Sequence, residues 1–182
     1  MKLLDYNSFI NQDRQKTQSV NEHLWSGIIH RSETGEEREE DKILTKEDIR
    51  RKIQEIIDKT HPKKGDIIDL NHLNVSSVED MSDLFYDYEN HINFTDYNFN
   101  VSKWDVSNVT NMNSMFAVCK NFKGDLSGWD VSNVKNMRSM FEGCENFNSD
   151  LSRWNVSNVK NMGSMFNGCS SLKKIPDWYH GR

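Results

Sequence analysis

The stretch WDVSNVTNMNSMFAVC, residues 104–119, decides how this chain is read. It returns as WDVSNVKNMRSMFEGC from Trp129 and as WNVSNVKNMGSMFNGC from Trp154, each step 25 residues long. A fixed period of this size is the mark of a chain that coils, one repeat to a turn. Equivalent residues then stack: Trp104, Trp129 and Trp154; Val106, Val131 and Val156; Val109, Val134 and Val159; Phe116, Phe141 and Phe166. Apolar ladders supply a continuous core. Ladders of Ser (107, 132, 157) and Asn (111, 136, 161) can satisfy backbone groups in tight turns.

Within one unit, residues 124–131 (GDLSGWDV) read as a short strand. In residues 136–144, Met137, Met140, Phe141 and Cys144 stand at i, i+3, i+4 and i+7, the spacing of one helical face, with Asn136 as its cap. The expected class is therefore an α/β repeat.

A worn copy precedes the clean ones. LNVSSVEDMSDLF places Leu73, Val75, Val78, Met81, Leu84 and Phe85 on the ladder positions. Leu73 lies 31 residues before Trp104, so this first coil carries six extra residues, within ENHINFTDYNFN. At the other end Tyr179 stands 25 residues after Trp154, and Trp178 with Tyr179 can cover the last coil.

Three regions follow from this reading. Residues 1–42 are a polar N-terminal segment ending in a charged linker, RSETGEEREEDK. Residues 43–64 hold a capping helix: Thr45 with Asp48 makes its N-terminus, Ile49, Ile53, Ile56 and Ile57 its apolar face, and Pro62 its end. Residues 65–182 form the solenoid, of about four coils.

Net charge is −5, which gives no bulk attraction for nucleic acid. Its distribution is uneven. Residues 43–64 carry 7 basic and 4 acidic residues, residues 65–100 carry 0 and 8, and residues 101–182 carry 10 and 7. The N-terminus has no apolar run of signal-peptide kind and no lipid-attachment cysteine, and no window approaches a membrane span. The expected location is cytoplasmic.

No pattern of residues signals catalysis. Cys119, Cys144 and Cys169 recur at the repeat period, lack any Cys-x-x-Cys pairing and lie on the apolar face, which reads as buried free thiols and no metal site. The six histidines do not cluster. Asp105, Asp130 and Asn155 form a polar ladder without the dense oxygen pattern of a calcium loop, so a role in turns is expected. Nucleophile–base pairs, phosphate loops and cofactor motifs are not found, so a non-enzyme without cofactor is expected.

The repeat phrase from Trp104 to Val159 resembles the BspA-type leucine-rich-repeat proteins, in the subfamily with 25-residue W-D-V-S-N-V-T-N-M repeats, over roughly residues 70–179. The resemblance implies a short leucine-rich-repeat solenoid with an N-terminal capping helix. Many such relatives are bacterial surface proteins thought to bind host or partner proteins. It transfers no catalytic residue. The expected function is a non-enzymatic protein-binding module, adhesin-like or host-interacting. The alternative is a cytoplasmic regulator or inhibitor in a bacterial or phage–host system that blocks a basic partner with an acidic surface. The candidate contact surface is the irregular first coil, where insertion, acidic charge and aromatic residues coincide: Asp83, Tyr86, Asp87, Tyr88, Glu89, Phe94, Asp96, Tyr97 and Phe99.

Overall fold

The computed structural model describes residues 3–4, 44–87 and 92–181. Helix α1 spans Lys46–Thr60. Its start is a reciprocal cap: the Thr45 hydroxyl accepts the Asp48 amide at 3.1 Å, and the Asp48 carboxylate accepts the Thr45 amide at 3.1 Å. Ile49, Ile53 and Ile56 are buried, and each such side chain contributes about 1.5–3 kcal/mol on leaving water. The helix ends before Pro62, with His61 left-handed at φ 46° and its amide on the Ile57 carbonyl at 2.9 Å.

Short strands surround the entry to the repeats. β1 is Leu3–Leu4, β2 Ile67–Asp69, β3 Tyr86–Asp87, β4 Ile92–Asn93 and β5 Asn98–Asn100. β1, β2 and β5 make one parallel sheet in that order, with Ile67 opposite both Leu3 and Asn98. β3 and β4 pair antiparallel, Tyr86 opposite Asn93.

From Met81 onward, equivalent residues of successive repeats are hydrogen-bonded. Asp80, Asn111, Asn136 and Asn161 bridge one another in parallel. Four Phe rings continue the contact through the core: Phe85, Phe116, Phe141 and Phe166 stack with centroids 4.9, 5.7 and 5.9 Å apart. A second row, Phe122 and Phe147, lies beside them at 4.2 and 4.1 Å. Each Trp spends its one buried donor on the coil before it. The indole N–H groups of Trp104, Trp129 and Trp154 reach the carbonyls of Leu70, Val101 and Leu126 at 2.8, 3.1 and 3.0 Å.

Inside the repeats the elements differ from the expectation. Residues 124–131 form no strand and 136–144 no helix; both are successions of turns. The reason lies in the amides. A helix needs each N–H for its own carbonyl four residues back. Here the N–H groups of Met137, Ser139, Phe141 and Gly143 leave for the next coil, reaching the carbonyls of Asn161, Gly163, Met165 and Asn167 at 2.7–3.0 Å. Left-handed residues at Ser139 (φ 53°) and Gly143 (φ 73°) break any helical run. The inward set is nevertheless as expected: Met137, Met140, Phe141 and Cys144 are all fully buried. Asn136 caps no helix; its side-chain oxygen accepts the Arg138 amide at 3.1 Å in a local turn.

These inter-coil bonds form relays. The Met81 amide bonds the Asn111 carbonyl; that peptide's own N–H, on Met112, bonds the Asn136 carbonyl; the next, on Met137, bonds Asn161. Parallel relays run from Asp83 through Ser114 and Ser139, from Phe85 through Phe116 and Phe141, and from Val118 through Gly143. In these links the N–H points toward the C-terminal end of the stack, while a further row runs the other way, the amides of Thr110, Lys135 and Lys160 reaching the carbonyls of Glu79, Thr110 and Lys135 at 2.8 Å.

At the last coil the phase is mixed. The Tyr179 amide makes the turn bond to Pro176 that Trp154 makes to Leu151. The indole, however, comes from Trp178, which donates to the Leu151 carbonyl at 2.9 Å and stacks on Trp154 at 6.2 Å.

Candidate functional site

The six extra residues of the first coil fall where β3 and β4 fold back on each other, a hairpin with no counterpart in the described later coils. The aromatic candidates divide. Phe94 and Phe99 are 3% and 0% exposed, so they are core and not surface anchors, a correction to the sequence reading. The cause is the ring of Phe85, on which Phe99 stacks at 4.4 Å, while the Phe94 amide bonds the Phe85 carbonyl. Tyr86 and Tyr97 are half-buried, Tyr97 standing edge-on to Phe99 at 6.5 Å. Tyr88 and Glu89 lie outside the described residues.

The acidic candidates are less one-sided than their run in sequence. α1 and the turn after it bring cations to three of the eight carboxylates of residues 65–100. Arg50 pairs with Asp87 at 3.1 Å, Lys64 with Asp96 at 2.8 Å and Lys46 with Asp80 at 3.6 Å. The two oppositely charged segments, adjacent in sequence, are thus folded against each other. The Asp87 pair is largely buried, whereas that of Asp96 is exposed and worth little to stability.

Arg50 does more than neutralise Asp87. Its guanidinium also donates to the carbonyls of Asp83 and Leu84, at 2.8 and 3.4 Å, the second belonging to the peptide that heads the Phe85 relay. Asp83 stands half-buried and left-handed (φ 56°) beside this cluster. Burial first, and the Asp87 charge next, push its carboxyl above the ordinary range, against the pull of Lys46 and Arg50. Sequence reasoning missed Arg50: it lies beside the Ile face, and nothing in a helix pattern marks which cation will be buried.

The polar ladders are occupied structurally. The Asp105 carboxylate accepts the Ser107 hydroxyl and amide at 2.6 and 3.1 Å, and Asp130 accepts the Ser132 amide at 3.0 Å. Those bonds hold both carboxyls below the usual range. Asn108, Asn133 and Asn158 each give a side-chain N–H to a Ser carbonyl of the coil before, at 2.7–2.8 Å. Cys119 and Cys144 are buried free thiols, pushed upward by burial, while the half-buried Cys169 is pushed up to about 11. Among the described residues no group of His, Cys, Asp and Glu gathers to hold a metal ion, and no helix is long and apolar enough to cross a membrane.

No curated protein and no solved structure matches the chain. One family does match, over residues 52–179, which covers α1 from its seventh residue and every repeat. That span exceeds half of the chain, and the protein belongs to the family described as Mycoplasma protein of unknown function, DUF285.

Proposed function

We propose that this chain is a non-enzymatic protein-binding module: a short solenoid of the BspA-type leucine-rich-repeat kind that engages a basic partner through its irregular first coil. The observation that carries the reading is the β3–β4 hairpin, which interrupts a stack whose other described coils are near-copies of one another. Insertions in repeat proteins commonly lie on the binding face. Tyr86 and Tyr97 offer ring surface there, and Asp83 and Asp96 offer charge. The regular coils instead spend their polar side chains on holding neighbouring turns together.

The test uses the full chain as bait in a lysate of its native source. One variant carries Tyr86→Ala, Asp96→Asn and Tyr97→Ala; a control carries Lys135→Ala, Arg138→Ala and Lys160→Ala. Both must unfold at the parent temperature. Aromatic anchors contribute about 2 kcal/mol or more each, so the first variant should lose the captured protein and the control should keep it. Retention by the first variant and loss by the control would move the binding face to the regular coils.

A further inference from the structure

We propose that α1 and the β3–β4 hairpin form one latch, which opens and closes as a unit while the later coils stay closed, and that Arg50 is its pin. This stands apart from the proposed function: it holds whether or not the hairpin touches a partner.

The first coil differs from the later ones in what its carbonyls receive. The carbonyls of Met115, Met140 and Met165 each accept an amide from the coil before, those of Phe85, Phe116 and Phe141, at 3.0–3.2 Å. Leu84 occupies the same place in the first coil, and its carbonyl takes Nε of Arg50 at 3.4 Å. The carbonyls of Ser114, Ser139 and Ser164 accept local turn bonds from Ala117, Glu142 and Asn167 at 3.0–3.2 Å. Asp83 is their counterpart, and its carbonyl takes Nη2 of Arg50 at 2.8 Å. Tyr86, the counterpart of Ala117, enters β3. One side chain of α1 thus stands in for an inter-coil donor and for a turn donor, at the point where the chain leaves the repeat for the hairpin.

Neither element is expected to hold by itself. α1 has 15 residues, a length at which an isolated helix is marginal in water. A two-stranded hairpin is marginal as well, and the described pairing of β3 with β4 is Tyr86 with Asn93 and Asp87 with Ile92. What joins them is polar and specific. Lys46 and Arg50, one helical turn apart, both reach residues 80–87: Lys46 to the Ser82 hydroxyl at 3.2 Å and to Asp80 at 3.6 Å, Arg50 to Asp87 at 3.1 Å. The side chains of Arg50 and Asp87 are only 9% and 15% exposed. Opening one element alone would part this pair while it is still shielded from water, a costly state. The two therefore open together.

The later coils have bonds of their own. The amides of Met112, Ser114, Phe116 and Val118 reach the following coil at 2.7–3.0 Å, and the Phe rings stack through the core. They can stay closed while the latch opens, as separate cooperative units of one protein do. A ligand that holds the hairpin closed then stabilises α1, and one that holds α1 stabilises the hairpin, by the same factor.

Amide hydrogen exchange followed by NMR in the full chain tests this. Thr45→Ala removes the acceptor of the Asp48 amide and weakens α1 from its far end. It should quicken the helix amides of Ile53 and Ile56 about fivefold. The amide of Phe94, which bonds the Phe85 carbonyl inside the hairpin, should quicken by the same factor, while Met137, Ser139 and Phe141 stay unchanged. Asn93→Ala works from the hairpin side, removing the acceptor of the Thr95 amide and hydroxyl, and should quicken Ile53 and Ile56 as much as it quickens Phe94. Arg50→Lys keeps the charge but loses the planar fork, and should quicken all three by about tenfold or more. If that variant does not fold, the other two decide. Helix amides that loosen while Phe94 is unmoved, or the reverse, show two independent elements and overturn the latch. Equal quickening of Met137, Ser139 and Phe141 shows the whole chain opening at once and overturns it too.

Discussion

At the N-terminal end of the stack, α1 lays three isoleucines on the first coil and sets Arg50 against its outward carbonyls. At the C-terminal end two aromatic rings cover part of the core, and among the described residues the amides of Met162, Ser164, Phe166 and Gly168 have no acceptor. The first coil is covered by a helix with its own cap, whereas what the described residues lay on the last coil is Trp178 and Tyr179. The inter-coil bonds run both ways: the amides of Met112, Ser114, Phe116 and Val118 reach the following coil, and those of Thr110, Lys135 and Lys160 the preceding one, so the contrast between the ends lies in what covers them.

The contrast can be broken most directly in the Phe row. Phe141→Ala, inside the stack, should cost about 3–5 kcal/mol, whereas Phe166→Ala in the last coil should cost about half as much because the neighbouring surface can collapse. Urea midpoints of the two variants decide this, and equal losses would mean that the last coil is as tightly enclosed as the inner ones. Next comes Arg50→Ala, which takes the guanidinium from the buried Asp87 carboxylate and from two carbonyls and should cost about 3 kcal/mol or more. A loss below about 1 kcal/mol, the size of an exposed pair, would remove the cap from the comparison.

The thiols give a kinetic version. Cys119 and Cys144 are fully buried, whereas Cys169 is partly accessible. In the native state Cys169 should be labelled on the order of a hundredfold faster than the other two, whose reaction waits for the coils to open. Similar rates for all three would show the last coil opening no more readily than its neighbours.

Glycine probes the rigidity of the coils. A Cβ at Gly143 would come 3.4 Å from the Val118 Cα, and one at Gly168 would come 3.2 Å from the Gly143 Cα; both residues have positive φ. Alanine in a left-handed position costs about 1–2 kcal/mol. Gly168→Ala should cost less than Gly143→Ala in spite of the closer contact, since Gly168 is exposed whereas the amide of Gly143 is held by the Asn167 carbonyl at 2.7 Å. Thermal unfolding of the pair checks the order.

The smallest effect belongs to Asp83→Asn. Asp83 binds its proton more tightly folded than unfolded, so its contribution is most favourable in acid and declines as pH rises through the carboxylate range. Asn keeps the left-handed backbone without that decline. The variant should therefore match the parent below about pH 4 and be slightly more stable above about pH 5, as read from unfolding midpoints across pH. Asp105 and Asp130, held low by their Ser partners, pull the other way: their contribution is lost as pH falls below about 4.

How much was legible in the sequence varies with what each residue does. The N-cap at Thr45 with its acidic first turn was legible, because it involves four consecutive residues and needs no partner from elsewhere; the structure adds the return bond from the Thr45 amide to Asp48. The inward residues of the repeats were legible as well, since periodicity reports which side chains avoid water. The candidate surface was legible only in part. Phe94, Phe99 and Asp87 look exposed beside other polar residues in the chain, but Phe85 and Arg50, respectively 9 to 14 and 37 residues away, take them inward.

By itself, then, the sequence determined the period, the ladders, the capping helix and the identity of the core, all of which follow from local spacing and from the transfer of apolar groups out of water. The backbone conformation of the repeats was decided only in the tertiary structure. Met137, Met140, Phe141 and Cys144 have helical spacing, but their segment lies where a neighbouring coil offers carbonyls on one side and seeks donors on the other. Amides that can bond between coils at 2.7–3.0 Å do not close a helix, and the same inward set is delivered by turns and left-handed residues instead. In the last described coil the equivalent amides, on Met162, Ser164, Phe166 and Gly168, have no acceptor among the described residues, yet the turns keep the same form, because the bonds from Met165, Asn167 and Cys169 to Met162, Ser164 and Phe166 hold them locally.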